Sequence, residues 1–469
     1  MAAIVTNKFR LNNAEQFYES FAEASTSFYL FVGRPQPWTA TTPFGGGTDN
    51  APPTPLDNVD DEYMYFRDML AAKRIAAADI QYAIPRHNWT TGTAYDYYRG
   101  DYGAQWSSTA SDIVKTENNG TNLWASTTLF YVLSSTNNVY KCMWNAAGAA
   151  STVEPTGTSN SELTTGDGYV WKYMYSLTTT QITDFLTADF MPVATNSTVS
   201  GAAVDGAVRH YKVMRGGAGY TSGTYTAQTL QGDSSVRGGT AATFTVTVDG
   251  GAVTNVVAVA AGTNYTFADC NIDGISGIGT PATSAIVTPI IGPPGGHGYN
   301  AVNELGGFYI MTNTTISGTE GSGDFVVDQD FRRVGIVLNP NNYDGSPATA
   351  ATRNALKSMT FSGTPGNFLA DETISAPSGA AGVVVAWDST TKILKYIQTQ
   401  WTGVNASGSE IAFVATDVVT SASSATGTIA SITNPEIAYY SGSTIYVEDR
   451  APISRATDQT ENIKLIVEF

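Results

Sequence analysis

The spacing of apolar positions changes several times along the chain. Ala3-Ile4-Val5-Thr6 is a short β-type run. Phe17 and Phe21 then fall four apart within Asn13–Ala22, with an Asn available as cap and Glu15 in the first turn, which predicts a short amphipathic helix. The aromatic run Phe28-Tyr29-Leu30-Phe31-Val32 reads as a strand ending at Gly33, before Pro35 and Pro37. From about Asp60 to Ala77 a second helix is predicted, because Tyr63, Phe66 and Leu70 share a helical face and Asp60, Asp61 and Glu62 suit the positive end of its dipole. Between Tyr95 and Tyr175 no helical period is sustained. Leu129-Phe130-Tyr131-Val132-Leu133 reads as a strand between Ser-, Asn- and Gly-rich turns. Asp167-Gly168 turns into a further strand with Tyr169, Trp171, Tyr173 and Tyr175 on one face and Val170 and Met174 on the other. Such a strand must be covered on at least one side. A short helix is expected near Ile182, Phe185 and Leu186, before Pro192.

From about residue 196 to Gly292 the chain turns to Gly, Ala, Thr and Val with very few charges, and Gly217-Ala218-Gly219-Tyr220-Thr221 returns loosely as Gly262-Thr263-Asn264-Tyr265-Thr266. A clearer repeat aligns Phe368–Ser375 with Phe413–Thr420 and Ser378–Val384 with Ser423–Ile429, every pair 45 residues apart. Two copies of one hairpin-like unit suggest a small sandwich or barrel, whereas a solenoid calls for at least three. These shifts divide the chain into a scaffold over 1–195, an inserted module over 196–300, a scaffold return over 301–344, the repeat-bearing module over 345–432, and C-terminal scaffold strands over 433–469. The fold class expected from these patterns is mainly β, with a few short helices in loops and two inserted small β modules.

Composition narrows the chemistry. The 469 residues carry 24 basic and 41 acidic side chains, a net charge of -17, yet only 14% are charged, where about 25% is usual. An acidic chain without Lys or Arg clusters is a poor match to a phosphate backbone, so nucleic acid is not an expected partner. No apolar run approaches the ~20 residues of a membrane span, and Met1–Arg10 lacks the apolar core of a signal peptide. Cys142 and Cys270 have no metal-knuckle spacing and read as packed thiols. His87, His210 and His297 are widely separated, with no HxH or HExxH spacing, so no metal or cofactor site is expected. His297, in Pro293-Pro294-Gly295-Gly296-His297-Gly298, reads as a hydrogen-bonding or exposed turn residue. The loop Asn339–Gly345 puts Pro340 and Ala351 where a calcium loop needs carboxylates.

Specific strings then carry more than composition. Ala3–Arg10, Phe17-Tyr18, Phe31-Val32-Gly33-Arg34 with Pro37-Trp38, and at the other end Tyr440–Ile453 with Asp458-Gln459-Thr460-Glu461, closely resemble a baseplate wedge subunit of T-even-type contractile-tailed phages, the gene product eight family. Pro52–Val59, Ala83–Trp89, Gly166–Trp171 and Phe331–Pro340 resemble its internal blocks in the same order, while the stretches 196–325 and 345–430 have no counterpart among them. The resemblance implies a mainly β fold with a β-sandwich core and a few short helices in loops, in a structural virion protein of the tail baseplate, assembled in the host cytoplasm. It further implies a homodimer within each wedge that connects other baseplate wedge proteins and transmits rearrangement during sheath contraction. It implies no enzyme activity, no cofactor and no membrane insertion. No catalytic residue is nominated. The residues expected to anchor interfaces or loops are Arg34, Trp38, Arg86, Trp89, Trp171 and Arg450, since each arginine stands beside Pro or Trp, where a guanidinium forks onto a carboxylate or stacks on a ring. Two rival functions are a glycan-binding adhesin using Tyr220 and Tyr265 exposed on the modules, and a tail-associated polysaccharide hydrolase with converging carboxylates.

Overall fold

A computed structural model describes residues 5–39, 46–100, 122–316, 326, 329–398, 403–455 and 460–469. Of the strand expected at Ala3–Thr6, Ala3 and Ile4 lie outside the described residues, and Val5 and Thr6 form no strand. The fold is mainly β, with five short α-helices among the described residues. The chain forms two compact units, one built from Met1–Glu15, Gln81–Met311 and Ile466–Phe469, the other from Gln16–Ile80 and Thr312–Leu465.

The second unit is organised on a five-stranded sheet in the order Thr352–Asn354, Met69–Ile75, Phe28–Gly33, Gln329–Leu338, Ser443–Arg455. Phe28–Gly33 is buried at every position and pairs antiparallel on both sides, Leu30 facing Ile336 and Lys73. Strand alternation sends its side chains into two cores. Phe28, Leu30 and Val32 join Phe21, Ile75, Val334 and Ile336, while Tyr29 and Phe31 join Tyr65, Phe66, Ala72 and Val337 on the other face. A β run apolar at every position is what a sheet covered on both faces requires.

The structure corrects the helix predicted over 60–77. The helix α2 covers only Val59–Arg67, capped by Asn58 accepting from the Asp61 amide, and Met69–Ile75 is a strand. Phe66 and Leu70, expected on one helical face, lie in different cores on opposite faces of the sheet. Pairing with Phe28–Gly33 outweighs the good local helix propensity of Met-Leu-Ala-Ala. The first helix, α1, is Asn7–Ser20, longer at its start than expected because Thr6 accepts from the Phe9 amide through both its carbonyl and its hydroxyl. Phe17, Phe21 and Phe28 stack in one aromatic group, Phe21 and Phe28 with centroids 3.9 Å apart.

Within 357–433 six strands close into a barrel, in the order Lys357–Ser362, Ile393–Ile397, Ala381–Asp388, Thr373–Ser375, Val418–Ser421, Thr426–Thr433. The 45-residue repeat explains that order. Ile374 and Val419, Val384 and Ile429, and Phe368 and Phe413 are repeat partners, and all six fill the interior. Displaced by 45 from Ile393–Ile397, residues 438–442 form no strand; Lys357–Ser362, upstream of the first copy, occupies that place. The order therefore reads as a pseudo-two-fold with Thr373–Ser375 and Val418–Ser421 at its centre. Hydrogen bonds follow the same symmetry: the Ser378 hydroxyl donates to Asp417 at 3.1 Å and the Ser423 hydroxyl to Glu372 at 3.0 Å. Each carboxylate also accepts the amide three residues before it, Leu369 or Val414. Val383, Val385 and Ile397, on the barrel's outside, complete the core beside the five-stranded sheet.

The other unit holds a four-stranded sheet ordered Tyr131–Leu133, Asn138–Asn145, Tyr169–Ser176, Glu162–Thr164. Tyr169–Ser176 is buried on both faces up to Tyr175. Tyr175 does not share a face with Tyr169, Trp171 and Tyr173 as expected, because a register irregularity opposite Val139 and Tyr140 shifts the alternation, and it packs with Met174. The helix α3, Thr179–Phe185, starts on a capping box of Thr178 and Gln181. Beyond it, α4 (Ser197–Gly201) and α5 (Ala301–Leu305) flank hairpin strands around a third core. There the loose Gly-Tyr repeat has a common conformation: Gly217 and Gly262, and Gly219 and Asn264, all have positive φ, and Tyr220 and Tyr265 both turn into the core. Cys142 and Cys270 are free, buried thiols, and burial raises both, Cys270 to about 12.

Gly382 and Gly427 are also repeat partners in the barrel. A Cβ would come within 2.8 Å of the Ile397 carbonyl at the first and within 2.8 Å of the Phe361 ring at the second. Gly382→Ala and Gly427→Ala are each expected to destabilise the protein by about 1–3 kcal/mol through overpacking. Urea unfolding measures this, and midpoints equal to the parent's would contradict the close approach.

Candidate functional site

The anchors predicted in the second unit meet at one place. Arg333, on Gln329–Leu338, is opposite Asp449 in register and Gly33 on its other side. Its guanidinium forks onto Asp449, with Nε 2.6 Å from Oδ1 and Nη2 3.2 Å from Oδ2, while Nη1 reaches both oxygens of Asp68 at 2.9 and 3.1 Å. All three side chains are at most 4% exposed. The Tyr65 ring lies 4.4 Å from its Cζ and the Trp38 ring 5.5 Å. Burial acts against the charge, but Asp68 and Asp449 outweigh it and hold the guanidinium above its ordinary range.

The neighbouring Arg332 takes the loop after Gly33. It pairs bidentately with Asp49 at 2.9 and 3.1 Å, meets Asp330 at 2.9 Å, and donates to the Pro35 carbonyl. Asp49 also accepts the Trp38 amide at 2.8 Å. Trp38 is 4% exposed, and its indole N–H donates to the Arg450 carbonyl at 3.1 Å. Arg34 sits with φ 56°, a strained left-handed conformation for a non-glycine residue, its amide donating to the Asp68 carbonyl and its guanidinium carbon 4.7 Å from the Trp38 ring. Burial lowers its pKa. Arg450 contributes its backbone to this cluster, but its side chain is 38% exposed, with Glu448 4.0 Å away.

The remaining anchors belong to the other unit. Arg86 donates to Asn88 at 2.9 Å and to the Thr187 carbonyl at 2.7 Å, pinning two loops. The Trp89 indole donates to the Ser151 hydroxyl at 3.2 Å, and that hydroxyl donates to Asp167 at 3.0 Å. Asp167 further collects the Thr165 hydroxyl and the amides of Thr152 and Val153. Trp171 is fully buried, stacked on Tyr169 with centroids 5.5 Å apart and edge-on to Tyr95. The structure thus joins Arg34, Trp38 and the Arg450 backbone in one cluster, and links Trp89 to the turn before Trp171.

Sequence reasoning passed over two sets of residues. Arg332 and Arg333 lie inside one of the family-like strings, and the signal was there: a tandem arginine within the apolar run from Phe331 to Leu338 demands buried carboxylate partners. The second set is Lys141, Glu304 and His297. Lys141 is fully buried, its ammonium bonded to Glu304 and 2.7 Å from His297 Nδ1. Glu304 in turn accepts the Gly298 amide at 2.7 Å. No local pattern marks it, because its members come from distant segments. No group of three or more His, Cys, Asp or Glu poised for a metal occurs among the described residues.

Asp449→Ala is expected to cost about 3–5 kcal/mol, since it leaves a buried guanidinium half compensated; a loss below 1 kcal/mol in urea unfolding would mean that the cluster is not the joint described. For Asp167, burial alone would raise the pKa, but the Thr165, Thr152, Val153 and Ser151 hydrogen bonds together hold it well below the usual carboxylate range. A depressed folded pKa contributes stability above the unfolded value of about 4, lost as pH falls through the folded one. Asp167→Asn is therefore expected to flatten the acid limb of a stability–pH profile between about pH 4 and 2, and an unchanged slope would contradict it.

No curated protein matches the chain. A family model does, described as Phage-Gp8: Bacteriophage T4, Gp8, over residues 3–204. That span contains Arg34, Trp38, Arg86, Trp89 and Trp171, as well as Asp68 and Asp167. The family is one of structural proteins of the phage baseplate. Over residues 3–204, less than half of its length, this chain is similar to the bacteriophage T4 Gp8 family.

Proposed function

We propose that the protein is a baseplate wedge subunit of a contractile phage tail, built as a homodimer that connects neighbouring wedge proteins and passes on their rearrangement when the sheath contracts. The family match over residues 3–204 carries this reading. Its site is the virion tail baseplate, after assembly in the host cytoplasm, and its partners are a second copy and other wedge proteins. A connector under load needs loops that do not shear, and the bidentate arginine clusters supply that: Arg332 and Arg333 fix the chain at Pro35, Asp49, Asp68 and Asp449.

Two features suit contact with partners. Ser443–Arg455 is a 13-residue strand at the edge of the five-stranded sheet, exposed or half-exposed at nearly every position, and a long edge strand is a natural place for another chain to add. Arg450 presents its guanidinium from that strand. Among the predicted anchors, Arg450 is the interface residue of choice, whereas Trp38 and Trp171 act as internal supports.

The adhesin reading loses its candidate residues. Tyr220 and Tyr265 are 4% and 3% exposed; the Tyr220 hydroxyl donates to Asp273, and the Tyr265 hydroxyl donates to the Leu230 carbonyl while accepting the Ala242 amide. Neither ring face is available to a sugar. The hydrolase reading has no specific observation in its favour.

Sedimentation velocity of the purified protein is expected to show a dimer that co-assembles with the other wedge proteins of its phage. Arg450→Glu is expected to weaken assembly at least ten-fold, about 1.4 kcal/mol or more, with unfolding unchanged. A monomer that fails to co-assemble would overturn the connector role.

A further inference from the structure

The four-stranded sheet holds an arrangement that local rules disfavour. In register across three adjacent strands stand Glu162, Lys172 and Lys141, so two lysines face each other directly. Both are buried, Lys172 at 6% exposure and Lys141 at 0%. Like charges directly opposite on a sheet repel, and burial removes the water that would screen them. Lys141 is compensated by Glu304. Lys172 has no direct ion pair: its ammonium donates to the neutral Asn160 carbonyl, no carboxylate among the described residues lies within ion-pair distance of it, and its opposing charge comes at longer range from Glu162 and Glu304.

Lys172 lines a cavity of about 270 Å³ together with Asn160, Glu162, Arg209 and His297. Lys141 has only N–H donors to offer, so its contact with His297 makes Nδ1 the acceptor and leaves the ring proton on Nε2. The cavity wall therefore carries an ammonium, a guanidinium and an imidazole N–H against a single carboxylate. Glu162 is itself engaged, 3.5 Å from Arg209 Nε and 3.4 Å from His210 Nε2. Burial pulls the Lys172 and His297 pKa values down; Glu162 and Glu304 oppose the shift at Lys172, while the neighbouring cationic side chains Lys141 and Arg209 add to it at both. This excess of donors stands in a chain whose net charge is -17.

We propose that this cavity is an oxyanion site, taking a phosphate or carboxylate group between the Lys172 ammonium, the Arg209 guanidinium and His297 Nε2–H. The three donors come from Tyr169–Ser176, from Val208–Arg215 and from the Pro293–Gly298 turn. Binding would supply the direct counter-charge that the Lys172 ammonium lacks.

Isothermal titration calorimetry on the full chain tests this, with inorganic phosphate and acetate as probes and chloride holding ionic strength constant. Saturable one-to-one binding of phosphate is expected, weakened about ten-fold or more by Arg209→Gln, an exposed position that leaves the fold intact, and by Lys172→Met, which fills the same volume. Saturable binding of acetate alone, weakened by the same variants, assigns the site to carboxylates. No heat from either probe at millimolar concentration, or binding that both variants leave unchanged, would overturn the proposal.

Discussion

The second unit depends on one buried guanidinium. Arg333 belongs to the middle of a strand with apolar neighbours, and its charge is tolerable only because Asp68 and Asp449 converge on it. Those carboxylates lie 381 residues apart in the chain. The first sits where α2 ends and the second strand of the sheet begins, the second on the sheet's edge strand. Satisfying one charge thus specifies where a helix stops, in what register an edge strand pairs, and where the loop after Gly33 turns back. A hydrophobic contact tolerates sliding by an ångström; a bidentate fork does not.

A low charge fraction makes each such node count. With 14% charged residues, the faces of this protein are mostly hydroxyl, amide and small apolar groups, and several buried ionic groups among the described residues stand in small closed sets: Arg332 with Asp49 and Asp330, Arg333 with Asp68 and Asp449, Arg455 with Glu461, Lys141 with Glu304. Around Lys172 the set is left open toward a cavity. The contrast between the closed sets and this one is what singles it out.

Symmetry does comparable work in the barrel without charge. Five strands from two copies of one unit and a sixth from upstream close on themselves, which removes the unpaired edges that a free hairpin would present. The second copy lacks its third strand, and the chain supplies it from upstream. The paired exchanges Ser378 with Asp417 and Ser423 with Glu372 tie the copies together at their turns.

By itself the sequence determined the mainly β character, the strands at Phe28–Gly33 and Tyr169–Ser176, the short helix near Ile182 and Phe185, and the 45-residue repeat, because each is written in residues close together in the chain. The resemblance likewise rested on contiguous strings such as Phe31-Val32-Gly33-Arg34 and Phe331-Arg332-Arg333. Tertiary structure alone decided the path of the chain after Arg67, where strand pairing overrode a plausible helix and split Phe66 from Leu70. It alone turned Tyr220 and Tyr265 inward and moved Tyr175 to the other face through a register irregularity. It alone brought Asp68 to Arg333 and Glu304 to Lys141, partners 265 and 163 residues away. Local periodicity records which face of an element is apolar, but a buried charge is compensated by whatever group the fold brings within about 3 Å, and no local pattern encodes that distance.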